Sequence, residues 1–194
     1  MKTWIILISL IGFTTHSTAQ SLSAKVLESS FYLQPRGFGQ NFLQSLDINP
    51  DSIYQVLETK VQQLLVLQSI DRIQEEAFIF QKRKKKAFSE LTDKDRSLTQ
   101  NYPADLYLIF QITADPPYPS ALSGHLIKTA IEIEIFIFDK SLNQIQKISA
   151  KRKNTGITSD PNSDEDDPYE NAFFDFDRES FLDLFDKTLS ELGR

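Results

Sequence analysis

A chain of 194 residues without cysteine is long enough for one ordinary domain, and it must hold together by a core rather than by disulfides. Two histidines and no thiol exclude a zinc site of the usual nitrogen and sulfur ligands. With 27 acidic against 21 basic residues the net charge is −6, and no basic-aromatic platform accompanies it, which argues against a nucleic-acid partner.

The chain opens "MKTWIILISLIGFTTHSTAQ". Lys2 supplies a positive start, and Trp4 to Phe13 form an apolar run about half the ~20 residues that a membrane span requires. Small residues at Ser17 and Ala19 predict a signal peptide over residues 1–19, cleaved between Ala19 and Gln20. The expectation is therefore an exported protein, periplasmic or secreted, with a single globular domain over 20–194 that does not span a membrane. His16 leaves with the leader, and His125 then stands at the entrance to a predicted strand with no nucleophile-elbow pattern beside it.

"SAKVLESSFYLQ", Ser23 to Gln34, reads as a first strand, punctuated by Pro35, Gly37 and Gly39. "RGFGQ" lacks the third glycine of a dinucleotide loop and the Lys-Ser or Lys-Thr of a phosphate loop, so it reads as a turn. The segment from Phe38 to Pro50 is loop-like, with Phe42, Leu43 and Leu46 touching the core. Asp51 or Ser52 is expected to cap a helix whose apolar face is Ile53, Val56, Leu57, Val61, Leu64 and Leu65. A short strand follows over Val66 to Ile70.

A second helix is predicted from Asp71 to about Leu91, facing the core with Ile73, Ala77, Phe80, Phe88 and Leu91. Asn101 and Pro103 are stop signals ahead of "ADLYLIFQIT". There Leu106, Leu108, Phe110 and Ile112 point one way and Tyr107 and Ile109 the other, the pattern of a central strand. "DPPYP" reads as a rigid connector. In "TAIEIEIFIFD" one face is Ile131, Ile133, Ile135 and Ile137; the other changes from Glu132 and Glu134 to Phe136 and Phe138, predicting a strand that starts half-exposed and ends buried. "DKSLN" turns the chain into an antiparallel edge strand, "QIQKISAKRKN", whose cations discourage edge-to-edge aggregation. Asp177 is expected to cap a last helix through Leu192 with a stripe of Phe181, Leu182, Phe185, Leu189 and Leu192, and Gly193 suits the position after it. The fold class is α/β, an α+β sandwich: strand, helix, short strand, helix, three strands, helix, with a mixed sheet packed by helices.

At the level of architecture this chain resembles a group of exported bacterial α/β-sandwich domains. The group includes the curli-secretion lipoprotein family, the activator lipoproteins of penicillin-binding proteins and the amino-terminal domain of TolB. Three stretches carry the resemblance. In "LQSIDRIQEEAFIFQKR", Asp71, Arg72 and Glu75 or Glu76 match a strand ending in Asp-Arg before a helix. In "PADLYLIFQI", Ala104 and Asp105 match an Asp-led central strand, and Asp139 matches the aspartate that ends the long strand of "IEIEIFIFDKSLNQI". The group's lipid-bearing cysteine is missing, and Gln111 stands where a glycine is common. The resemblance implies a fold and an envelope setting, and binding or assembly rather than catalysis.

Two charge runs complete the reading. Lys82, Arg83, Lys84, Lys85 and Lys86 form a basic block whose simplest reading is a solvated helix face. Residues 159–177 carry eight carboxylates and no cation. Asp160, Asn162, Asp164 and Asp166 alternate like the first half of a calcium loop, but Glu165 stands where such a loop needs glycine, and Asn171 where it needs a bidentate Glu. No tight calcium site is expected; the stretch reads as a solvated acidic loop. The interaction candidates are the five cations together with Asp160, Asp164, Glu165, Asp166 and Asp167, and the partner is an envelope protein or an anionic envelope surface. No cofactor is expected. The functional expectation is a non-enzymatic binding or assembly module of the cell envelope. The alternative is a carboxylate-based hydrolase acting on envelope polysaccharide, because acidic residues are plentiful.

Overall fold

The computed structural model describes residues 22–33, 43–44, 46–73, 79–81, 91, 93–120, 123–157 and 178–194. The elements run β1 (Leu22–Leu33), α1 (Pro50–Leu65), β2 (Leu67–Arg72), β3 (Ile79–Gln81), α2 (Asp93–Asn101), β4 (Leu106–Ser120), β5 (Ser123–Asp139), β6 (Gln144–Ile157) and α3 (Arg178–Ser190). One mixed sheet takes the order β2-β1-β4-β5-β6, with β3 also beside β1. β1 is parallel to β2, β3 and β4, and β4, β5 and β6 are antiparallel neighbours. This is the expected α+β sandwich. No helix among the described residues is long and apolar enough to cross a membrane.

The helix α1 begins at Asn49, whose side-chain oxygen accepts from the Asp51 N–H at 2.9 Å, with Pro50 at the first helical position. The expected cap at Asp51 or Ser52 is thus displaced upstream: proline has no N–H to satisfy and its fixed φ suits a first turn. The buried face is Ile53, Tyr54, Leu57 and Val61, while Val56 is exposed. Tyr54 replaces Val56 because its ring reaches the sheet and packs 6.0 Å from Phe110. The helix exits through Val66, which is left-handed (φ 51, ψ 49) and 82% exposed.

The second predicted helix is corrected. Asp71 and Arg72 end β2, and Ile79 to Gln81 form β3, while the helix of this region is α2. The physical reason lies in pairing. β1 is longer than β2, and its free edge takes up β3 through Ser30–Ile79, Phe31–Phe80 and Tyr32–Gln81. "DPPYP" is likewise strand rather than connector, since β4 continues to Ser120. Pairing with β1 stops at Leu33–Ala114, so the prolines beyond it lie where no β1 carbonyl needs the N–H that proline lacks. A register irregularity between Asp115 and Tyr118 absorbs the first two.

Two cores follow from strand alternation. On the first face Val26, Phe31, Leu108, Phe110, Ile112 and, from β5, Ile131, Ile133, Ile135 and Ile137 meet α1 and α3. Full burial of each such side chain contributes about 1.5–3 kcal/mol. α3 buries Phe181, Leu184, Phe185 and Leu189, with Leu184 taking the place expected for Leu182, which is only half-buried. Phe181 and Phe185 are stacked with centroids 6.4 Å apart. The second face carries a smaller cluster of Leu27, Tyr107, Ile109, Phe136 and Phe138, against which Leu98 of α2 packs. The Tyr107 hydroxyl accepts from the Ala104 N–H at 3.2 Å and lies within 3.2 Å of the Thr99 and Tyr102 carbonyls, which ties the end of α2 to the start of β4.

Candidate functional site

Lys82, Arg83, Lys84, Lys85, Lys86, Asp160, Asp164, Glu165, Asp166 and Asp167, with the half calcium motif, lie outside the described residues. Among the described residues no group of three or more His, Cys, Asp or Glu side chains is gathered to hold a metal. His125 falls within β5.

Of the polar residues that carried the resemblance, Asp71, Arg72, Asp105 and Asp139 are described, and each holds a joint of the fold, while Glu75 and Glu76 lie outside the described residues. Lys25 of β1 pairs with Asp71 of β2 at 2.8 Å. Arg72 reaches across to Asp51 in the first turn of α1 at 2.7 Å, and its guanidinium lies 4.5 Å from the centre of the Tyr54 ring. A planar cation stacked on an aromatic face and paired with a carboxylate fixes the angle between helix and sheet. Burial pushes the Tyr54 hydroxyl far above its ordinary range, and the Glu58 carboxylate adds to that rise. Glu58 is itself raised by burial, against the lowering effect of Arg72.

Asp105 stands just before β4 and accepts from both the Ser23 N–H and the Ser23 hydroxyl at 2.9 Å. These bonds, the backbone one first, hold its carboxyl below the usual carboxylate range. Asp139 closes the β5–β6 turn. Its carboxylate accepts from the Ser141 N–H at 2.8 Å, the Asn143 N–H at 2.9 Å and the Asn143 side-chain amide at 3.0 Å. The Asn143 bonds are the main cause of its lowered pKa. Leu142, at φ 65, supplies the left-handed residue of this turn.

The arrangement that sequence reasoning missed lies on the second sheet face, beyond the small apolar cluster. Register places Ser30, Gln111, Glu134 and Ser149 in one row across β1, β4, β5 and β6. Tyr32, Thr113, Glu132 and Lys151 form the next row. Ser30, Gln111, Thr113 and Glu134 are buried, which corrects the expected half-exposed start of β5 at Glu134. The Gln111 amide donates to Glu134 at 3.3 Å, and Lys147 of β6 pairs with the other Glu134 oxygen. The same ammonium lies 5.1 Å from the centre of the Phe136 ring. Lys151 pairs with Glu132 at 3.1 Å, and Arg152, on the opposite face, pairs with Glu191 after α3. The Gln111 Oε1 and Thr113 Oγ1 atoms are buried polar atoms with no hydrogen-bond partner among the described residues. Their signal in the sequence was a lone amide and a hydroxyl on the Tyr107–Ile109 side of an otherwise apolar strand.

These rows lead outward to β6. Its residues 144–157 contain four cations and no acidic residue. Lys147, Lys151 and Lys153 share the second face, set by their register with Phe136, Glu132 and Ala130. The sheet ends there: no other described strand pairs with β6 on its outer side.

The fold and these rows define a mixed-sheet α+β sandwich whose β6 edge is basic and, among the described residues, pairs with no further strand. No family model matches the chain, and no curated protein matches it. Among solved structures it is similar to a single-substitution variant of the PelC dodecamer from Paraburkholderia phytofirmans, with 10% identity and a TM-score of 0.40 over 92% of this chain and 93% of that one. A PelC dodecamer from the same organism in another crystal form gives 10% identity and a TM-score of 0.38 over 88% of this chain and 86% of that one. Likeness at this level assigns no role to any residue here.

Proposed function

We propose that this chain is a non-enzymatic exported envelope protein, a binding or assembly module for a periplasmic or outer-membrane component. The observation that carries this reading is the outer edge of β6, which no strand among the described residues covers. β6 is a 14-residue strand paired on one side by β5 and on the other by no described strand. Its outward N–H and C=O groups form a ready template for another chain. The apolar leader with Ser17 and Ala19 supports export, and Asp71, Arg72, Asp105 and Asp139 stand at strand ends and turns in keeping with the envelope-domain resemblance. Protein isolated from the envelope of its own cells should begin at Gln20, and affinity capture under native conditions should return one specific partner. A retained leader, or no partner across several extraction conditions, contradicts the proposal.

The alternative, a hydrolase of envelope polysaccharide, draws on Glu132 and Glu134, two carboxylates on one sheet face. Each is engaged by a lysine of β6, and Glu134 also by Gln111. Release of reducing ends from envelope glycans by the purified protein, abolished by Glu134→Gln in a folded variant, would establish that alternative instead.

A further inference from the structure

We propose that the outer edge of β6 docks an extended acidic segment of a partner protein, added to the sheet as a further strand. The inference rests on the binding-module reading and names its surface and the chemistry of the partner. Two independent features carry it. Among the described residues no strand pairs with the outer side of β6 over its 14 residues, and alternate N–H and C=O groups along that side face away from β5. Beside it runs a column of like charge, Lys147, Lys151 and Lys153, on one face of the strand.

Charge selects the occupant. A second copy docking β6 against β6 would set lysine columns side by side, and like charges opposite one another across strands are destabilising. A strand bearing carboxylates at alternate positions meets the same column with attraction. Lys147 and Lys151 are engaged inward by Glu134 and Glu132, yet their side chains remain 41% and 45% exposed. An ammonium has three donors, so each keeps capacity for a second carboxylate. Lys153 lies opposite Ala130, which offers it no charge from β5.

The test uses the purified protein with two capped decapeptides, one alternating Glu and Thr, the other alternating Lys and Thr. Amide hydrogen exchange is followed residue by residue. The Glu-Thr peptide should slow exchange of alternate β6 amides, leave the β2 edge unchanged, and lose most of its effect in high salt. The Lys-Thr peptide should do nothing at β6. Lys153→Glu, which touches no ion pair described above, should weaken Glu-Thr binding about three- to tenfold, with the circular dichroism unchanged. Equal action by both peptides, action by neither, protection on another edge, or concentration-dependent protection of β6 without peptide would each overturn the inference. The last outcome would mean that a second copy holds the edge. An envelope partner that Lys153→Glu still captures would overturn the edge assignment while leaving the binding-module reading intact.

Discussion

The two faces of this sheet are built from the same strands by opposite rules. On the first, β4 and β5 present Leu108, Phe110, Ile112, Ile131, Ile133, Ile135 and Ile137 to α1 and α3, and among the described residues the only charged or amide side chains of these two strands that are buried lie on the other face. On the second, the alternate residues of those strands begin apolar at Tyr107, Ile109, Phe136 and Phe138, then become Gln111, Thr113, Glu134 and Glu132. The first face needs volume and shape. The second needs specific partners, because a buried charge or amide costs free energy unless it is paired. Stability belongs to the first face, and the second leads its charge out to the edge where binding is proposed.

The largest expected effect tests the first face. Phe110→Ala removes a fully buried ring that packs against Tyr54 and should destabilise by about 3–5 kcal/mol in denaturant unfolding. A loss below about 1 kcal/mol would show that the apolar face is not the core. Lys147→Met should cost less, about 1–3 kcal/mol, by leaving buried Glu134 with Gln111 but without its cation. If Glu134→Gln restores most of that loss in the double variant, the second face is governed by pairing; no restoration would mean that packing alone governs both faces.

The two helices of the first face offer a finer contrast, because both leave through left-handed residues. After α3 the residue is Gly193 at φ +85, and a Cβ built there would stand 2.7 Å from the Leu64 Cδ2. Gly193→Ala should cost about 1–2 kcal/mol, which thermal unfolding will read. After α1 the residue is Val66, a β-branched side chain in the same conformation and 82% exposed. Val66→Gly should stabilise by about 0.5–1 kcal/mol, since relief of left-handed strain exceeds the unfolded-state entropy of glycine.

The smallest effect is in pH. Asp105 and Asp139 have lowered pKa values, so their contribution is full above the ordinary carboxylate range, about pH 4, and is lost as pH falls through their folded values. Glu58, raised by burial, acts in reverse: its contribution is full below about pH 4 and is lost as pH rises through its folded value. Asp139→Ala should therefore lower the urea midpoint at pH 6 and flatten its decline toward pH 2. A parallel displacement at every pH would rule out the carboxylate bonds as the cause.

What the sequence revealed follows the same division. Alternation in β4 and β5 and the 3.6-residue period of α1 were legible because burial on the first face is a property of each residue alone. The cap at Asn49 was missed because Pro50 was read as preceding the helix rather than opening it. Ile73, Ala77 and Phe80 fit a helical spacing, yet the edge of β1 takes Ile79–Gln81 as a strand, a choice made by pairing some 50 residues distant. Glu134 read as solvent-facing because its partners, Gln111 and Lys147, become neighbours only through strand register. The Lys82–Lys86 and Asp160–Asp167 blocks were the most conspicuous sequence features, and both lie outside the described residues.

The proposal that this chain binds through its open edge is tested most directly inside the cell. A photo-crosslinking residue at exposed Ser149 of β6 is compared with one at exposed Val56 of α1. The account predicts one discrete higher-mass adduct from position 149 and none from position 56. No adduct at 149, or the same adducts from both positions, would contradict it.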